Sequence, residues 1–147
     1  MTKEELLNTL KRYFKDKAKA YKVELAFLYG SWARGLPRLD SDVDVAVVFS
    51  RSVPTSETFS LLTDLSLDLS AFIGKEVNII NISPDFHKPM LYYNAIILGR
   101  PVYIESTDRY ARFFVDAICQ MEDFSLFGTK WQVRAAQKNL AEAGKNG

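Results

Sequence analysis

Two aspartates stand one residue apart at the start of a valine-rich run, Asp42 before and Asp44 within VDVAVVF, residues 43–49. Because side chains alternate along a strand, both carboxylates project from the same face if the strand begins by Asp42. Two carboxylates held so close repel each other, and burial makes each charge costlier, so a bound cation relieves both costs. Carboxylate oxygens and substrate phosphates are the ligands that Mg²⁺ prefers, and two such ions can clamp a phosphoryl group. The pair predicts a metal site at Asp42 and Asp44.

A glycine-serine pair, Gly30 and Ser31, precedes Asp42 by ten intervening residues and follows the apolar run VELAFLY, residues 23–29. Glycine lacks a Cβ, so a phosphate can approach the backbone closely at Gly30. If SWARG, residues 31–35, forms a short helix, its free N–H groups and the Ser31 hydroxyl would face an anion. Arg34 and Arg38 are further candidates for offsetting the charge of a polyphosphate.

Each half of this pattern has an ordinary explanation when taken alone. A Gly-Ser pair is typical of many turns, and Asp-Val-Asp is typical of a solvated strand start. The combination between two apolar strands is more specific, and it predicts a site that grips a triphosphate at Gly30 and Ser31 and binds metal at Asp42 and Asp44.

The elements that must position these residues follow from hydrophobic spacing and from glycine and proline breaks. Thr2 and Glu5 form the pattern of a capping box at the first helix. The predicted helices span 3–21, 55–72, 88–98 and a C-terminal helical segment of about 107–143, and the predicted strands span 23–29, 43–49, 76–82 and 101–105. This order predicts an α/β fold of the α+β kind, a small mixed sheet flanked by α-helices.

Composition restricts the class of protein further. The 147 residues suit one domain, 1–147, and the net charge of +1 argues against general nucleic-acid binding. No apolar run approaches the length of a membrane span, and the charged N-terminal stretch has no signal core. One cysteine excludes an intrachain disulfide and fits a cytoplasmic location.

The stretch GSWARGLPRLDSDVDVAV resembles the signature of the nucleotidyltransferase superfamily related to DNA polymerase beta, and the small size resembles its minimal nucleotidyltransferases. The resemblance implies a mixed sheet flanked by helices and transfer of a nucleoside monophosphate from a nucleoside triphosphate, here ATP, to a hydroxyl with Mg²⁺. It also implies a partner, because many minimal members are antitoxins of HEPN proteins, and some adenylylate a tyrosine on that toxin. Homo- and hetero-oligomers are both compatible with the resemblance.

One residue departs from the family pattern. The family usually carries a third carboxylate on a later strand, and the corresponding stretch KEVNIINI has Asn78. An amide can offer an oxygen to a metal but cannot take a proton, and general-base help is worth ~10²–10⁴-fold. Two functions remain open. One is an adenylyltransferase that uses Asp42, Asp44 and Asn78 and whose rate is lowered by the missing carboxylate. The other is an antitoxin that neutralises its HEPN partner by binding alone. A stand-alone enzyme for small molecules fits less well, because such acceptors usually need an added domain.

Overall fold

A computed structural model describes residues 1–35, 42–83 and 88–146, with the backbone alone described at 124–132 and 142–146. The elements, in chain order, are α1 Lys3–Lys17, β1 Val23–Tyr29, β2 Val43–Phe49, α2 Thr55–Ile73, β3 Val77–Asn81, α3 Pro89–Ile96, β4 Arg100–Ile104 and α4 Thr107–Asn146. The strands form one sheet in the order β3-β2-β1-β4. β1 runs antiparallel to β2 and β4, whereas β2 and β3 are parallel. The predicted mixed sheet flanked by helices is therefore confirmed.

One face of the sheet is covered by α1 and α2. Alternation along β2 sends Val43, Val45 and Val47 to this face, where they join the apolar stripe of α1 in one buried cluster. Leu65 and Leu69 of α2 close the same cluster, and both are fully buried. Burial of these aliphatic side chains, each worth roughly 1.5–3 kcal/mol, holds this layer together.

The opposite face is covered by α3 and the first part of α4. Ala46 and Val48 of β2 point this way and pack with Phe27 of β1. Tyr92 and Ala95 lie among the residues of α3 that complete this second cluster. Because Asp44 precedes Ala46 by two residues, it belongs to this same face of the sheet.

The first helix ends earlier than its hydrophobic pattern predicts. α1 stops at Lys17 instead of Tyr21, because residues 18–22 form turns and Lys22 adopts a left-handed φ of 58°. The amide of Val23 then donates to the carbonyl of Ala18 at 2.8 Å, which starts β1. Tyr21 still packs against the core from this turn, and that packing explains why its spacing resembles that of a helical residue.

The C-terminal helical segment is continuous. α4 spans Thr107–Asn146 without interruption, three residues beyond the predicted end at 143. In the described part of the chain, no helix combines the length and the apolar character needed to cross a bilayer.

Candidate nucleotide and metal site

The sheet register brings three polar side chains into one row. Asp44 of β2 pairs with Tyr29 of β1 on one side and with Asn78 of β3 on the other. Directly paired residues on adjacent strands project from the same face, so the three side chains lie side by side. The row lies at the end of the sheet where β1 ends and where β2 and β3 begin.

Asp42 joins this row from the residue just before β2. The amide nitrogen of Asn78 donates a hydrogen bond to the Oδ2 atom of Asp42 at 3.2 Å, and it also hydrogen-bonds Asp44. Because one amide contacts both acids, their carboxylates lie on the same face of the sheet, Asp42 exposed and Asp44 half-buried. The expectation that both acids lie on one face therefore agrees with the structure.

Gly30 lies against the carboxylate of Asp44. A Cβ built at Gly30 would stand 2.4 Å from the Oδ2 atom of Asp44, far inside the contact distance that atoms tolerate. Gly30 also has a φ of 77°, a left-handed conformation that favours glycine. The glycine-serine pair and the acidic pair, separated by ten residues in the sequence, thus meet in space, and this position accepts only glycine without displacing the carboxylate.

The segment after Gly30, for which the sequence left a short helix open, forms turns. Residues 31–35 form turns, in which the amide of Arg34 donates to the Gly30 carbonyl and the amide of Gly35 donates to the Trp32 carbonyl, both at 3.2 Å. Trp32 is 4% exposed and belongs to the core cluster under α1 and α2. The Lys75 ammonium lies 5.5 Å from the centre of its ring. The turn is therefore held by these two hydrogen bonds, of which the one from Arg34 to Gly30 has the i→i−4 spacing of a helix, and by the buried indole.

Ser31 and Arg34 take their positions from this turn. Ser31 follows Gly30 and is half-buried, whereas Arg34 is exposed and lines a pocket of about 120 Å³ together with Gly30. Arg38, the second candidate arginine, lies outside the described residues. The structure thus places Arg34 in one pocket with Gly30, and Gly30 is the residue of this turn that lies against an acid, Asp44.

Four residues of this pocket were not predicted from the sequence. They are Tyr29, Ala33, Leu98 and Asn94, the last from α3, and Tyr29 and Asn94 are the two with polar side chains. Tyr29 directly precedes the glycine-serine pair, and Asn94 is a polar residue inside the otherwise apolar stretch YYNAII. Both features were visible, but without the fold nothing connected α3 to the turn at Gly30.

Charge and burial shape the ionisation of the site. Burial raises the pKa of Asp44 above its ordinary value, a hydrogen bond from Asn78 opposes this rise, and the charge of Asp42 adds to it. Burial, and then the charge of Asp44, raise the pKa of Tyr29 to about 12. Tyr29 therefore keeps its hydroxyl proton at neutral pH and can donate it in a hydrogen bond.

The donor set suits a hard divalent cation. Among the described residues no group of three or more His, Cys, Asp or Glu side chains gathers at one point, and the described acids at this edge of the sheet are Asp42 and Asp44. Burial, and then the charge of Asp42, raise the pKa of Asp44, so a bound cation would relieve both costs. Mg²⁺ is commonly bound by one or two carboxylates with the rest of its ligands taken from water and substrate phosphates, which fits Asp42 and Asp44 beside Gly30.

Comparison with known proteins decides the family. The model of the family described as "Polymerase beta, Nucleotidyltransferase" matches residues 8–108, a span that contains every residue of the site. The chain belongs to the polymerase beta nucleotidyltransferase family. A candidate protein adenylyltransferase of Methanocaldococcus jannaschii is 34% identical to this nucleotidyltransferase over 85 residues, which are 58% of this chain and 79% of the relative.

Solved structures share the fold of this nucleotidyltransferase. A toxin-antitoxin crystal structure with AMP-PNP contains a chain with a TM-score of 0.65 and 16% identity, covering 88% of this chain and 97% of that one. A complex of a tri-AMPylated Shewanella oneidensis HEPN toxin with its MNT antitoxin gives a TM-score of 0.62 at 13% identity, covering 88% of this chain and 98% of that one. At such identities the likeness shows the fold alone.

Proposed function

We propose that this nucleotidyltransferase transfers AMP from ATP, with Mg²⁺, to a tyrosine hydroxyl of a cognate HEPN toxin and so acts as the antitoxin of a toxin-antitoxin pair. The observation that carries the proposal is the contact of Gly30 with the Asp44 carboxylate, because a backbone that a phosphate could approach closely then lies beside an acid that could bind the metal. The adenylyltransferase relative and the shared fold with toxin-bound chains support the choice of AMP and of a protein acceptor.

In this reaction the tyrosine oxygen bonds to the α-phosphorus and its hydroxyl proton passes to solvent, while the bond from the α-phosphorus to the bridging oxygen breaks and pyrophosphate leaves. Gly30 lets the triphosphate approach the backbone, and the Ser31 hydroxyl and the Arg34 guanidinium supply donors and positive charge. Asp42 and Asp44 would hold Mg²⁺, which offsets charge on the phosphates when bound. Asn78 keeps the Asp42 carboxylate in place through its 3.2 Å hydrogen bond.

The proposal is tested by incubating the protein with ATP, Mg²⁺ and the HEPN protein encoded beside it, and by weighing that protein in a mass spectrometer. We expect an added adenylyl mass on a tyrosine, and we expect it to disappear with Asp42→Asn. Neutralisation of the toxin without a change in mass, equal in wild type and Asp42→Asn, would contradict the proposal.

A second function is favoured by one observation, the amide of Asn78 at the position where the family usually has a carboxylate. Without a third acid the site has one proton acceptor fewer, and a chain of this kind could neutralise its toxin by contact alone. The same experiment distinguishes the two functions. If the protein acts by binding alone, Asp42→Asn still neutralises the toxin; if it acts by adenylylation, Asp42→Asn does not.

A further inference from the structure

An apolar groove runs between α2 and β3, beside the candidate site. Phe59, Leu62 and Leu67 of α2 form one wall, Val77, Asn78 and Ile79 of β3 form the other, and the groove measures about 390 Å³. Phe59 is 80% exposed and Leu67 is 68% exposed, although α2 offers its other face to the core. None of the described residues that line the groove is charged. Such a surface favours apolar side chains over nucleic acid, which needs cationic contacts.

The strand along this groove is an edge strand whose backbone faces outward at alternate residues. β3 stands first in the order β3-β2-β1-β4. The Glu76 carbonyl accepts from Val43 and the Ile82 amide donates to Val47, so even-numbered residues face β2. Val77, Ile79 and Asn81 therefore turn their backbone groups away from the sheet.

Two serines of α2 hydrogen-bond the outward backbone groups of Val77, the first of these residues. Ser66 donates to the Val77 carbonyl at 3.0 Å, and Ser70 accepts from the Val77 amide at 3.1 Å. Pairing with a further strand would thus begin at Ile79 and include Asn81. An open strand edge beside apolar pockets is the geometry that binds extended polypeptides by strand addition.

The outer edge of β3 lies next to the candidate site. Asn78 lines the groove, pairs with Asp44 in the sheet register and donates to Asp42. A strand added beside β3 would lie about 4.8 Å from it, and its residue next to Asn78 would project from the same face as Asp44. A long hydroxyl side chain such as tyrosine reaches diagonally across neighbouring strands, so this position points an acceptor toward the two acids.

We propose that an extended segment of the acceptor protein docks on the outer edge of β3, with apolar side chains against Phe59 and Leu67, and presents its tyrosine beside Asn78. The inference rests on the proposed function for the identity of the acceptor. It adds the surface that recognises this acceptor and the conformation in which the acceptor is held.

The test compares two leucines of similar exposure on different helices. Leu67→Lys places a charge in the groove, whereas Leu140→Lys changes a leucine of α4 that is 73% exposed. We expect Leu67→Lys to weaken binding of the HEPN protein at least tenfold in isothermal titration calorimetry, and Leu140→Lys to bind like wild type. AMP-PNP affinity should stay unchanged in both variants, which shows that both fold and keep the nucleotide site.

Hydrogen exchange tests the strand itself. On binding the HEPN protein, the amides of Ile79 and Asn81 should become protected, because their outward N–H groups would enter a new ladder. Equal binding by Leu67→Lys and wild type, absence of this protection, or failure of the HEPN protein to bind at all would overturn the proposal. Loss of self-association in Leu67→Lys by sedimentation, without loss of HEPN binding, would assign the groove to a second copy and would also overturn it.

The outcomes separate this inference from the proposed function. Binding at the groove without adenylylation would contradict the transfer reaction and keep the docking surface. Adenylylation that is equally fast in Leu67→Lys and wild type would keep the transfer reaction and contradict the docking surface. If the transfer reaction and the docking surface are both correct, Leu67→Lys should raise the KM for the HEPN protein and leave kcat near its wild-type value.

Discussion

At the scale of single residues, Gly30 is the position where the glycine-serine turn contacts the acid pair, at Asp44. Gly30→Ala adds a Cβ that overlaps the Asp44 carboxylate and forces a side chain into a φ of 77°. We expect the free energy of unfolding to fall by about 1–3 kcal/mol, and AMP-PNP binding and transfer to be lost because Asp44 is displaced. Urea denaturation and calorimetric titration measure the two effects.

Gly35 provides the matched control for Gly30. It has a φ of 74°, and a Cβ there would meet nothing within 4 Å. Gly35→Ala should cost a similar backbone penalty while it leaves AMP-PNP binding intact. If Gly35→Ala and Gly30→Ala impair binding equally, the contact with Asp44 is not what makes glycine necessary.

The ionised carboxylate of Asp44 destabilises the folded chain. Its pKa is raised above the ordinary 3.8, so the folded chain holds this proton more tightly than the unfolded chain. The free energy of unfolding therefore falls as pH rises from 3.8 through the raised pKa, and the penalty is complete above that value. Asp44→Asn should stabilise the protein at pH 7 by about 0.5–1 kcal/mol, a small gain because solvent screens a half-buried carboxylate.

Urea denaturation of Asp44→Asn and wild type at a series of pH values checks this prediction. The difference in the free energy of unfolding should shrink as pH falls from the raised pKa to 3.8, because well below 3.8 Asp44 is protonated in both folded and unfolded states. Mg²⁺ should stabilise wild type more than the variant. If Asp44→Asn is less stable than wild type at pH 7, the charge of the Asp44 carboxylate does not destabilise the folded chain, and the prediction is wrong.

Asn78 is the residue at which a substitution should improve the site. Asn78→Asp adds a proton acceptor next to Asp42 and Asp44, and we expect transfer to rise by about 10²-fold, the lower end of general-base catalysis. Asn8→Asp is the control, since Asn8 is an exposed residue of α1 and lies in neither the candidate site nor the groove. Rates from single-turnover assays that stay equal or fall in Asn78→Asp would mean that the third ligand position lies elsewhere.

At the scale of elements, α2 holds the edge strand through its serine hydroxyls. Val77 is 3% exposed, and its amide donates to Ser70. Ser70→Ala leaves this buried N–H without that partner, so we expect a loss of about 1–3 kcal/mol in the free energy of unfolding. Thr63→Ala, which removes a hydroxyl bonded to the Phe59 carbonyl of its own helix, should change stability by less than about 0.5 kcal/mol.

Urea denaturation of both variants decides the point. Equal stabilities of Ser70→Ala and Thr63→Ala would show that β3 does not depend on α2 for its outer edge. In that case there would also be no reason for a docked strand to begin pairing at Ile79 and not at Val77.

The elements were predictable where local chemistry is strong. The valine-rich β2 and the capping box at Thr2, present as reciprocal 3.1 Å hydrogen bonds with Glu5, follow from short-range patterns. The end of α1 was not predictable from spacing, because Tyr21 packs on the core from a turn. Whether 31–35 is a short helix was left open by the sequence; the segment forms turns, and the burial of Trp32, a tertiary effect that helps to hold them, was not predictable.

At the scale of the whole molecule, the site depends on a topology that sequence periodicity does not contain. The parallel pairing of β2 with β3 sets Asn78 beside Asp44, and the position of α3 brings Asn94 to the pocket at Gly30. The pairing of acids with a glycine-serine turn was predictable, since its spacing is a strong motif. The open edge of β3 and its groove were not, because strand order decides which strand lies outside.

The central claim is that Gly30 and Ser31 seat the phosphates of a nucleotide whose metal is bound by Asp42 and Asp44. The most direct measurement is a crystal structure of the protein with AMP-PNP and Mn²⁺, which accepts the oxygen ligands that suit Mg²⁺ and is located by its anomalous signal. We predict an anomalous peak between the two carboxylates, with phosphate oxygens completing its ligands beside the Gly30 amide. A metal that contacts neither Asp42 nor Asp44, or a nucleotide whose phosphates lie away from Gly30, would contradict the account.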